Sequence, residues 1–68
     1  MNIEPFVKAM VHLGFTRDEA AGVAHLIKKK LVAGTRFRAT LDGLDYDIAY
    51  DLTDDSLSLV TIRRASSG

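Results

Sequence analysis

The chain has 68 residues, 47% of them hydrophobic, with no cysteine and a formal net charge of zero. Such a length makes one small domain that buries only roughly 60% of the surface its unfolded form exposes. Neither a disulfide nor a thiolate metal site can staple it, and no stretch reaches the roughly 20 apolar residues of a membrane-spanning helix.

The apolar content argues against disorder. The start, Met1 to Pro5, lacks a basic segment followed by a long apolar run, so no signal peptide is expected and a cytoplasmic location is the default. Zero net charge argues against a general nucleic-acid binder, which is basic overall. The zero hides an asymmetry. Met1 to Arg38 holds seven basic and three acidic residues, a balance of +4; Ala39 to Gly68 holds two basic and six acidic, a balance of −4. Either a partner-facing surface or an internal lattice of ion pairs would account for it.

Helical spacing predicts a first helix from about Ile3 to Leu13, with Phe6, Val7, Met10 and Val11 along one stripe. Asn2 is the candidate cap, and Pro5 falls in the first turn, where a missing N–H costs little. Lys8 and His12 lie on the wet side. Gly14 suits the left-handed position after the last turn, with Phe15 folding back on Met10. Thr16-Arg17-Asp18-Glu19 is a capping box that opens a second helix. Its buried stripe is Ala20, Val23, Ala24, Ile27 and Leu31; Asp18, Gly22, His25 and Lys29 share the outer face, and Gly34 ends it.

After Gly34 the pattern alternates. Phe37, Ala39 and Leu41 point one way, and Arg36, Arg38 and Thr40 the other. Asp42-Gly43 signals a two-residue hairpin pairing Leu41 with Leu44. Leu44, Tyr46, Ile48, Tyr50 and Leu52 then share a face against Asp45, Asp47, Ala49 and Asp51. A turn from Thr53 to Ser56 leads to a third strand from Leu57 to about Arg64. The expected fold is α+β, two N-terminal helices packed on a three-stranded antiparallel meander (ααβββ) in two layers. One domain would span 1–64, and residues 65–68 would form a flexible tail.

Counting outward from the hairpin sets Arg38 opposite Asp47. An uninterrupted second hairpin with Leu52 opposite Leu57 sets Ala49 opposite Val60, Asp47 opposite Ile62, and Asp45 opposite Arg64. Arg36, Arg38 and Arg64 would then meet Asp45, Asp47 and Asp51 on the sheet face away from the helices, each cross-strand pair contributing roughly 0.2–1 kcal/mol. That reading favours a solvated lattice over a recognition surface. Val60 and Ile62 would form an apolar island on the same face. The edge from Leu57 to Ile62 would carry no proline or inward charge to protect it. These features make Val60, Ile62, Arg38, Asp47 and Arg64 the candidate partner-binding residues, with a homodimer through the strand Leu57 to Ile62 as one outcome.

Two resemblances are local. The stretch Phe6 to Lys28 resembles a helix-turn-helix, with Ala9, Leu13, Phe15, Ala20 and Val23 at its apolar positions and Gly14 at the turn. Leu13 to Ala20 is similar to the first turn of ubiquitin-associated domains. Both families have a third helix where this chain has strands, so each is a shared local solution and not membership. A DNA-binding regulator would use Arg17, His25, Lys28 and Lys29. The lysine run also sits where a helix end attracts positive charge, and its members point in different directions.

Catalysis is hard to assemble, because His12 and His25 lie on the outer faces of different helices. Asp45 and Asp47 share a face but lack the further ligands of a hard-cation site. No enzyme activity, cofactor or metal is expected. The expected function is a non-enzymatic protein–protein interaction module, an inhibitor or adaptor of the kind found among small phage and mobile-element anti-defence proteins. The alternative is the DNA-binding regulator.

Overall fold

Two helices lead and three strands follow, in an α+β ααβββ fold. The computed structural model describes residues 1–30, 36–53 and 55–65. Helix α1 is Glu4–His12, α2 is Arg17–Lys30, and the strands are β1 Arg36–Leu41, β2 Leu44–Thr53 and β3 Ser56–Arg64. The sheet is antiparallel in the order β1-β2-β3. Helix α1 packs on β3 and on α2, while α2 leans over β1.

Local chemistry explains the helix ends. Helix α1 is one residue shorter at each end than its apolar spacing suggests. Ile3, not Asn2, holds the cap position, and Asn2 acts from one residue earlier: its Oδ1 accepts the Glu4 N–H at 3.1 Å. At the other end Gly14 has φ +107°. The Gly14 N–H donates to Val11 C=O at 3.0 Å and the Phe15 N–H to Met10 C=O at 3.2 Å, the paired bonds of a Schellman motif. This reversal turns Phe15 back onto the core, where its ring meets Tyr46 edge-on with centroids 5.3 Å apart. The capping box of α2 is complete: the Glu19 N–H donates to Thr16 Oγ1 at 3.1 Å, and the Thr16 N–H to Glu19 Oε1 at 2.8 Å. Gly34 as helix end and Leu31 in the buried stripe lie outside the described residues.

The core joins Phe6, Val7 and Met10 of α1, Ala20, Val23, Ala24 and Ile27 of α2, and Ala39, Leu41, Ile48, Tyr50 and Leu57 of the sheet. Leu52, expected on the buried face, is exposed near the end of β2. Asp42 at φ 54° and Gly43 at φ 78° form the tight turn, and the β1–β2 register is the expected one, Leu41 on Leu44 and Arg38 on Asp47.

The β2–β3 register is not the expected one. It begins as counted, with Leu52 on Leu57 and Asp51 on Ser58, and then slips at Ala49/Tyr50. Tyr50 pairs with Leu59 and Ala49 with Thr61, leaving Val60 as the extra residue of a bulge. Beyond it Ile48 faces Ile62, Asp47 faces Arg63 and Tyr46 faces Arg64. Burial supplies the reason. An unbroken ladder would turn Thr61 toward the helices and Ile62 toward water. The bulge exchanges them, and burying an isoleucine side chain is worth about 1.5–3 kcal/mol when complete. Ile62 is accordingly half-buried against the core.

The edge of β3 is also less bare than expected. The Asn2 N–H donates to Asp55 C=O at 2.7 Å, and the Leu57 N–H donates to Asn2 C=O at 2.9 Å, so the N-terminal segment bridges the start of that strand. Ala65, expected in the tail, is tied to the sheet by its N–H to Asp45 C=O at 2.9 Å; residues 66–68 of that tail lie outside the described residues.

Candidate functional site

The bulge undoes the apolar island and relocates Val60. Ile62 turns to the helix side and leaves the open sheet face. Val60 instead lines a groove of about 480 Å³ between α1 and β3, with Lys8, Ala9, His12, Leu13 and Leu59. Leu13 and Val60 are the most exposed large apolar residues of the described chain, at 59% and 60%. Leu13 is there because α1 ends at His12 and Leu13 is its C-cap, outside the core cluster. Val60 is there because a bulge residue leaves the ladder. Lys8 and His12, four residues apart on α1, supply the polar rim, and among the described residues no acid lines the groove. The site is therefore an apolar floor bordered by a lysine and a histidine.

The open sheet face has changed composition. Arg63, not Arg64, stands beside Asp47, and exposed Arg64 lies opposite Tyr46. Arg38 Nε donates to Asp47 Oδ1 at 3.0 Å, as the hairpin register requires. That hydrogen bond first, and then the charges of Asp47 and Asp45, raise the Arg38 pKa above its ordinary value. Asp45 accepts the Thr40 hydroxyl at 2.6 Å rather than pairing with an arginine. Among the described residues the ion pairs are Arg38–Asp47, Arg17–Glu4 and the Met1 ammonium with Asp55 at 3.6 Å. The lattice is thus one pair on this face. A small depression of about 50 Å³ lies beside it, lined by Arg36, Asp47, Ala49, Thr61 and Arg63.

The residues of the DNA-binding alternative all lie on α2. Arg17 turns to Glu4 of α1. His25, Lys28 and Lys29 are exposed on α2, whose first turn presents Asp18 and Glu19. Among the described residues no three His, Cys, Asp or Glu side chains gather as metal ligands, and no helix is long and apolar enough to cross a membrane.

Sequence reasoning missed Lys8, His12, Leu13 and Leu59 as neighbours of Val60. The helix period shows Lys8 and His12 as surface. Only the bulge brings Val60 beside them, and its one signal is the inward spacing Leu57, Leu59, Ile62, which breaks the period of two. Comparison with protein-family models, curated proteins and solved structures finds no match.

Proposed function

We propose that this protein is a small non-enzymatic protein-binding module, an adaptor or inhibitor, and that the groove between α1 and β3 is its docking surface. One observation carries the reading: Leu13 and Val60, from two different elements, stand exposed in the same groove. Contiguous exposed apolar surface in a folded chain is costly unless something covers it. The border of Lys8 and His12, with no acid among the described lining residues, selects the partner's chemistry by complementarity. The occupant is a protein segment that presents apolar side chains flanked by Asp or Glu.

A displayed library of random peptides, panned against the folded chain, tests this. Enrichment of apolar–acidic sequences, lost with Leu13→Asp or Val60→Lys, supports it. No enrichment, or enrichment that both variants leave intact, overturns it. Binding of random duplex DNA with a steep salt dependence would instead favour the regulator reading, because phosphate contacts release counterions.

A further inference from the structure

The other edge of the sheet carries a second surface, independent of the α1–β3 groove. In the tight hairpin Leu41 and Leu44 form a hydrogen-bonded pair, so alternate residues of β1 turn their main-chain groups away from β2. Those residues are Arg36, Arg38 and Thr40. Unlike β3, which the N-terminal segment bridges and a bulge interrupts, β1 pairs in unbroken register from Arg36 to Leu41. Between this edge and α2 runs a groove of about 330 Å³, lined chiefly by Gly22, Val23, Leu26, Phe37, Ala39 and Leu41. Leu26 is 47% exposed there.

Gly22 has no explanation among the described residues. It sits in the middle of α2, where glycine costs roughly 1 kcal/mol relative to alanine. A Cβ built on it meets nothing within 4 Å, and its φ lies outside the positive range. Neither a close approach nor an unusual backbone inside the monomer requires it.

We infer that β1 and the face of α2 beside it are the homodimer interface, with a second copy of this chain added antiparallel across a two-fold axis. The charges choose the register. With Arg38 opposite the second copy's Thr40, Ala39 lies on the axis against the second copy's Ala39. Arg38 and Thr40 exchange main-chain hydrogen bonds in both directions. Arg36 then faces the second copy's Asp42; neither residue has an ion-pair partner among the described residues. Moving the register so that Arg38 faces Arg38 of the second copy would oppose like charges. On the helix side Phe37 meets the second copy's Leu41, within the groove. Helix α2 borders this groove through Asp18, Glu19, Gly22, Val23 and Leu26. Gly22 and Ala39 line the same groove, one from the helix layer and one from the sheet. Ala39 thus marks the axis in the sheet, and Gly22, beside it in the helix layer, lets the two α2 helices approach. The result is one six-stranded sheet with an α1–β3 groove at each end.

Sedimentation velocity from micromolar to millimolar protein, with amide hydrogen exchange, tests the inference. A dimer is expected, with concentration-dependent protection at Arg38 and Thr40. Thr40→Pro removes an outward N–H without breaking a β1–β2 bond and should leave a folded monomer. Gly22→Gln improves the helix and fills the space between the two α2 helices, so its monomer should melt no lower than the parent's while the dissociation constant rises about tenfold or more. A monomer at every concentration overturns the inference. So does a dimer that survives both variants, or one whose new protection falls at Leu59 on the β3 edge. Because Leu13 and Val60 play no part here, loss of peptide binding with the dimer intact would count against the docking groove alone.

Discussion

The bulge at Val60 makes two neighbouring apolar residues unequal, and stability measures the difference. Ile62 faces Ile48 and is half-buried against the core, whereas Val60 is 60% exposed at the lip of a groove. Truncating a fully buried isoleucine to alanine costs about 2–5 kcal/mol, and half-burial brings Ile62→Ala to about 1–2 kcal/mol. In a domain this small each kcal/mol moves the melting temperature by about 4–8 °C, so the expected fall is about 5–15 °C. Val60→Ala removes a side chain that touches little, and should stay within about 0.5 kcal/mol of the parent. Thermal and urea unfolding followed by circular dichroism measure both variants, at low concentration so that self-association does not contribute. Equal losses for the two, or a larger loss for Val60→Ala, would refute the bulged register, since an unbroken ladder puts both residues on the open face.

Thr16→Ala should cost about 1 kcal/mol, and Glu19→Ala made with it should add less than its separate cost, because each residue holds the other's N–H; strict additivity in a double-mutant cycle would contradict this. Gly43→Val should lower the urea midpoint by an amount corresponding to about 1–3 kcal/mol, from its positive φ alone, since the space around it is open. A loss of only a few tenths would mean a different turn. Asp47→Arg should destabilise at low salt and recover in high salt, as the substitution sets like charge among Arg36, Arg38 and Arg63. Adding Arg38→Asp should restore only part of the loss, because Arg63 stays opposite. Full restoration would remove Arg63 from that face.

Much of this fold is legible in the residues, because the signals are local. Thr16 and Glu19 announce α2, Gly14 closes α1, and Asp42-Gly43 fixes the first hairpin with its Arg38–Asp47 pair. The second hairpin is legible only as far as Tyr50. Past that point the register is decided by whether Thr61 or Ile62 turns inward, a competition settled by helices far away in sequence. The candidate site inherits that difficulty. Leu13 and Val60 are both visible as apolar, but nothing near either one says that they share a groove. Gly22 poses the converse problem: its helix is legible, while no described residue explains a glycine there.

The central claim is that another protein covers the groove formed by Leu13 and Val60. Methyl NMR of the folded chain, titrated with a panned apolar–acidic peptide, tests it most directly. The account predicts that the methyl signals of Leu13, Leu59 and Val60 shift together with a common affinity while Leu26, on the far groove, stays still. Shifts centred on Leu26, or a bound peptide that leaves Leu13 and Val60 unmoved, would contradict it.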